Sequence, residues 1–246
     1  MNLAYRTLLP LIAALCLLLP VAELRADSGQ STRIDETQQQ DSAAKKRPPY
    51  LVYRDKSDYI LRELDLRPGD VVVDIGAGDG WWAAKMARRV GVEGTVHAAE
   101  VSQTQVDRMK KKYAKLTQLK PYLCPKDGTG LGENTCDLAF ISKTYHHLPQ
   151  DKLVDYLRRL RRVIKPTGRV VIVEAYADLA SGRWKEHAFS PGRLALQAEE
   201  AGWTLVRCEM VTGSRHFMAI FARPENFIEK KTDEKSKKQP QGRSET

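Results

Sequence analysis

Val71-Val72-Val73-Asp74-Ile75-Gly76-Ala77-Gly78-Asp79-Gly80 is the stretch on which the reading of the fold turns. Val71 to Ile75 is nearly all apolar and reads as a strand buried on both faces, as in a parallel sheet. Gly76, Gly78 and Gly80 follow, and Trp81 to Val90 then reads as a helix with Gly91 just beyond its end. Glycines between a strand and a helix let the backbone turn sharply and come close to a ligand that Cβ atoms would hold away. About 20 residues further on, a second strand ends in Glu100, where an acid in such folds accepts hydrogen bonds from ribose hydroxyls.

Two ligand classes compete for such a loop. The dinucleotide fingerprint is Gly-x-Gly-x-x-Gly, and here the sixth position is Trp81. A pyrophosphate is repelled by the nearby carboxylates of Asp74 and Asp79. A nucleoside carrying an amine and a sulfonium is attracted by them. The acids therefore favour a cationic, amino-acid-bearing nucleoside over NAD.

Outward from this loop the chain alternates strands and helices. Asp58 to Leu66 has helical spacing and ends at the turn Arg67-Pro68-Gly69-Asp70. Thr95 to Ala99 is a strand, and Ser102 is placed to cap a helix running through Gln105 to Leu116. A short strand lies near Tyr122 to Cys124, and another at Cys136 to Ile141. Leu153, Leu157, Leu160 and Ile164 share one helical face, which Lys165-Pro166-Thr167-Gly168 closes. Val170 to Val173 is a strand. Ser190-Pro191 opens a helix that ends at Gly202. Trp203 to Cys208 and His216 to Ala222 are strands joined at Thr212-Gly213-Ser214. The expected fold is α/β: a doubly wound, mostly parallel seven-stranded sheet with helices on both faces and a C-terminal antiparallel hairpin.

The glycine segment resembles the first motif of class I (Rossmann-like) S-adenosylmethionine-dependent methyltransferases, and Glu100 matches that family's acid at the end of the second strand. Asp137-Leu138-Ala139-Phe140 resembles its fourth-strand motif, and Val163 to Val170 its turn into the fifth strand. The resemblance runs from about Leu61 to Ala222 and implies methyl transfer from S-adenosylmethionine. By position, Asp74, Gly76, Ala77, Gly78 and Gly80 are expected around the cofactor, with Glu100 on the ribose, Val101 on the adenine and Asp127 near the adenine amine. The intervening Gly128-Thr129-Gly130-Leu131-Gly132 is atypical for the family.

The fourth strand runs into Ser142-Lys143-Thr144-Tyr145-His146-His147, at the carboxyl edge where open α/β sheets bind ligands. The Asn/Asp-Pro-Pro-Tyr motif of relatives that methylate nucleobases and glutamine is absent. The Tyr-His-His segment resembles small-molecule and quinone-type methyltransferases. His146 or His147 is a candidate to take a proton from a hydroxyl or thiol nucleophile. Tyr145 is a candidate to face the sulfonium. The competing reading is that these residues fix the loop or cap the next helix. The acceptor pocket is expected in segments such as Asp178 to Phe189. Tyr53 either closes over the cofactor or is a surface aromatic packing the preceding tether. A non-catalytic nucleoside binder is the alternative function.

The 246 residues suffice for one sizeable domain. Leu8 to Ala22 is uncharged and leucine-rich, shorter than the roughly 20 residues of a membrane span. Arg6 precedes it and Leu24-Arg25-Ala26 follows, the layout of a secretory signal peptide over 1–26. An uncleaved membrane anchor is the alternative, and the only expected route to membrane contact. A polar tether over 27–47, a domain over 48–224 and a charged tail over 225–246 complete the plan, with a periplasmic or extracellular location.

The formal charge is +9. Its runs, Lys110-Lys111-Lys112 and Arg158, Arg159, Arg161 and Arg162, lack interleaved aromatics and read as solvated helix faces, not nucleic-acid patches. Of four cysteines, Cys16 lies in the leader. Cys124, Cys136 and Cys208 are expected to be small core residues. No Cys-x-x-Cys or His-x-x-x-His spacing occurs, so no metal site is expected.

Overall fold

A computed structural model describes residues 53–177 and 188–227. The expected signal peptide and tether, the tail beyond 227, and most of the Asp178 to Phe189 acceptor segment lie outside the described residues.

Seven strands form one sheet in the order β3-β2-β1-β4-β5-β7-β6. They are β1 (Val71–Ile75), β2 (Thr95–Glu100), β3 (Leu119–Leu123), β4 (Cys136–Ser142), β5 (Ile164–Ala175), β6 (Thr204–Val211) and β7 (His216–Ala222). Among the described residues five helices accompany them: α1 (Ser57–Glu63), α2 (Trp81–Val90), α3 (Gln103–Lys112), α4 (Leu153–Val163) and α5 (Pro191–Glu200). Strands β1 to β5 pair in parallel, and β7 runs antiparallel to both β5 and β6. The sequence order leaves β1 toward β2 on one side and toward β4 on the other, so the crevice at β1 and β4 is the topological switch point.

Strand alternation assigns the two faces. Val72 packs with α1, α2 and α3 residues such as Ile60, Met86 and Met109. Val73, one position on, packs with Leu157 of α4 and Leu194 of α5. In α4, Leu153, Leu157 and Leu160 turn to the sheet, and each contributes about 1.5–3 kcal/mol by leaving water. Arg158, Arg159 and Arg162 lie exposed on the same helix, and Lys110 to Lys112 end α3 on its exposed face. Asp137 ties three strands together: its carboxylate accepts from the Val71 amide of β1 and from Lys165 Nζ of β5, both at 2.9 Å.

Several expectations are corrected. Lys165-Pro166-Thr167-Gly168 is not a turn outside the sheet but the irregular start of β5, which pairs with β4 through a register shift between Cys136 and Leu138. Gly168 is required there because a Cβ would meet the Asp137 carbonyl at 2.7 Å. Helix α3 stops at Lys112 instead of Leu116, and Ser102 makes no side-chain cap. The Ser190 cap is present, its hydroxyl accepting from the Arg193 amide. Trp203 precedes β6, with its indole N–H donating to the Leu157 carbonyl at 3.0 Å. Of the described cysteines only Cys136 is buried; Cys124 is half-buried, and Cys208 is exposed on the edge strand β6. Pro224–Asn226 form a short 3-10 turn, and Glu225 pairs with Arg161, so the first tail residues are tied to the domain.

Candidate active site

The glycine loop leaves the carboxyl end of β1 with Gly76, Gly78 and Gly80 all in the left-handed region. Their surroundings differ. A Cβ on Gly76 would strike Thr144, and one on Gly80 would strike Met109 and Tyr113, so these two glycines permit close packing of protein on protein. At Gly78 (φ +56°) a Cβ would meet nothing within 4 Å, so the backbone here faces open space. Main-chain bonds from Gly76 and Ala77 to the Ala99 carbonyl, at 2.9 and 3.1 Å, dock the loop on β2.

Glu100 closes the other side. Its carboxylate is only 8% exposed and accepts from the Gly78 amide at 2.8 Å and the Ser102 amide at 3.0 Å. Charge-assisted bonds of this kind hold both the loop and the turn after β2. Val101 (54% exposed) and Leu123 (52%) offer apolar surface at the ends of β2 and β3, where an aromatic base can be covered.

Asp74 lies behind the loop, 2% exposed, and its Oδ2 has no hydrogen-bond partner among the described residues. Burial pushes its carboxyl up to about 7, with the Ala83 amide partly opposing and Glu100 and Asp79 adding to the rise. Asp79 is different: it pairs with Arg54 at 3.3 Å and Lys112 at 3.7 Å, so its charge is already answered. The unanswered acid is Asp74.

The turn after β4 is joined to the loop by Thr144, whose hydroxyl donates to the Gly76 carbonyl at 3.4 Å. His146 follows, with Nδ1 at 2.8 Å from Glu174 Oε2. The His147 ring lies 3.9 Å from that of His146, and His147 is exposed. Tyr145 does not face the crevice. It is fully buried, donates to Gln197 of α5 at 3.2 Å and meets Phe189 edge-on, because the 3-10 turn points it into the α4–α5 face. Asp127 also stands apart. It is exposed, its carbonyl accepts from Arg159 of α4 at 2.8 Å, and no described contact joins it to the glycine loop. Tyr122, donating to the Thr129 carbonyl at 2.6 Å, folds this segment toward α4.

Two groups, His216 and Glu174, escaped sequence reasoning, and Tyr53 departs from one of its two expected readings. Tyr53 is not a surface aromatic: it is 2% exposed, its hydroxyl lies 2.7 Å from Ser142 Oγ, and its ring stacks on His216 at 4.5 Å. Burial raises the Tyr53 hydroxyl far above its ordinary range. His216, at the start of β7, is lowered to about 4 by burial and by Lys143, so the ring is neutral at pH 7. Glu174, the penultimate residue of β5, has no exposure at all. Its signal was present, an acid closing the apolar run Val170 to Val173, as Glu100 closes β2. His216 gave no local signal.

Residues 72–168 match a family model described as a methyltransferase domain. Demethylmenaquinone methyltransferase of Bacillus mycoides is 27% identical over 116 residues, 46% of this chain and 48% of that protein. An uncharacterised 37.1 kDa protein in transposon TN4556 of Streptomyces fradiae is 27% identical over 121 residues, 49% of this chain and 34% of that protein. The chain thus spans half or less of the length of these curated relatives. A crystal structure of a SAM-dependent methyltransferase from Aquifex aeolicus superposes with a TM-score of 0.61 at 25% identity, covering 72% of this chain and 98% of that one. Residues 72–168 thus match a methyltransferase domain, and the fold of the described region is similar to that of S-adenosylmethionine-dependent methyltransferases.

Proposed function

We propose that the protein transfers a methyl group from S-adenosylmethionine to a small-molecule acceptor. The observation that supports this reading most is the open backbone at Gly78, flanked by two buried acids, one of which has an oxygen with no described partner. A cationic nucleoside suits that set: an apolar shelf at Val101 for a base, Glu100 for ribose hydroxyls, and Asp74 for positive charge. Ala77 and Gly78 supply close main-chain approach, and Gly76 and Gly80 keep the loop seated on Thr144 and Met109. When bound, the cofactor supplies a methyl group already activated on a sulfonium. The chain's own task is then alignment of the acceptor and exclusion of water.

Calorimetry with S-adenosylhomocysteine tests the reading. Glu100→Ala removes a charged acceptor and is expected to weaken binding by about 1.5–3 kcal/mol. Unchanged affinity would take Glu100 out of the site and leave the ribose contact without a residue.

A further inference from the structure

Cofactor retention occupies the ends of β1 and β2 and leaves the most deeply buried acid described, Glu174, without a task. Glu174 is 0% exposed, and both of its oxygens go to one residue: Oε2 to His146 Nδ1 at 2.8 Å and Oε1 to the His146 amide at 3.4 Å. The His146 carbonyl accepts from Gln150 Nε2 at 3.0 Å. The imidazole is therefore fixed through its ring and through the main chain on both sides, on a turn that Thr144 presses against Gly76 of the glycine loop. An acid with no exposure carries a desolvation penalty that an apolar residue in the run Val170 to Ala175 would not. A carboxylate on Nδ1 selects the tautomer with the proton there and leaves Nε2 as the basic nitrogen.

We infer that His146 accepts the proton of a hydroxyl or thiol acceptor during methyl transfer, with Glu174 as the positioning residue that sets its tautomer and balances its charge. This rests on the methyltransferase reading of the site. In the step, the acceptor's O–H or S–H bond breaks and its proton passes to Nε2. The freed electron pair forms the bond to the methyl carbon. The bond from that carbon to the sulfonium breaks, and its pair stays on sulfur. The products are a methyl ether or thioether, neutral S-adenosylhomocysteine, and an imidazolium facing Glu174. Lys143 and His147 on the same turn are charged or titratable groups near the pair, and Lys143, Tyr53 and Tyr145 all lie within the field of Glu174.

The test uses the full chain with 15N-labelled histidine and S-adenosylhomocysteine, His146 being assigned by the signal lost in His146→Ala. The Nδ1–H tautomer is expected in the parent chain, shifting toward Nε2–H in Glu174→Gln. In parallel, transfer of labelled methyl from S-adenosylmethionine is followed to a substituted phenol, a thiophenol and an aliphatic amine. Products are expected from the phenol or the thiophenol; His146→Ala is expected to lower kcat about 100-fold and Glu174→Gln about 10-fold, with KM for S-adenosylmethionine unchanged. The Nε2–H tautomer in the parent chain, or His146→Ala transferring at the parent rate, overturns the inference. Loss of S-adenosylhomocysteine binding by the parent chain would instead remove the underlying methyltransferase reading.

Discussion

Asp74 and His216 are buried groups that titrate in opposite senses. The Asp74 carboxyl lies at about 7 in the fold against an ordinary 3.8. Between these values the folded chain holds a proton that the unfolded chain has released, so Asp74 makes stability fall as pH rises, and above about 7 the full penalty stands. His216 lies at about 4 against an ordinary 6.5. There the unfolded chain holds the extra proton, so His216 makes stability rise with pH across that window. Asp74→Asn is therefore expected to stabilise the ligand-free chain at pH 8, on the order of 2 kcal/mol, while weakening binding of the cationic cofactor. Denaturant melts at pH 5 and pH 8 with calorimetry on the same variant check this. Equal stability at pH 8 together with intact affinity would mean that Asp74 is not the unanswered charge. At Gly78, where a Cβ would meet nothing within 4 Å, Gly78→Val is expected to abolish binding by filling ligand space. Part of its cost falls on folding, because φ is +56°. A folded fraction that still binds would reduce the loop to a turn device.

At the scale of elements, the strands and helices were legible wherever periodicity was strong. Val71 to Ile75 and Leu153, Leu157 and Leu160 emerge with their expected faces, while Ile164, expected on the same helical stripe, opens β5 instead. The misreadings occur where local chemistry and tertiary context disagree. Lys165-Pro166-Thr167-Gly168 has the composition of a turn, yet Gly168 lets the chain press on the Asp137 carbonyl and begin β5 early. Tyr145 sits in the expected segment, but the 3-10 geometry carries it to Gln197. The acids that close apolar strands were a readable signal for the site. Tyr53 meets His216 only because β7 lies beside β5, a long-range pairing with no local trace. The α4 stripe yields its own expectation. Leu157→Ala should cost about 2–5 kcal/mol, and Arg162→Ala under about 1 kcal/mol, since the Arg162–Glu133 pair is exposed. Urea melts of both variants check the assignment, and a larger loss at Arg162 would refute a merely solvated face.

For the whole molecule, among the described residues no helix is long and apolar enough to cross a membrane. Export remains our proposal from the Leu8 to Ala22 run. The mature chain is expected to begin near Asp27 in a secretion-competent cell, and N-terminal sequencing that recovers Met1 from a soluble cytoplasmic fraction would contradict it. The sheet order puts the glycine loop, Glu100 and the His146 turn at one edge of the sheet, where the proposed cofactor and acceptor sites would adjoin. The most direct test of that account is a calorimetric titration of the full chain with S-adenosylmethionine, run beside one with NADH. One S-adenosylmethionine bound per chain, with no NADH heat, is the predicted result. NADH binding without S-adenosylmethionine binding would contradict it.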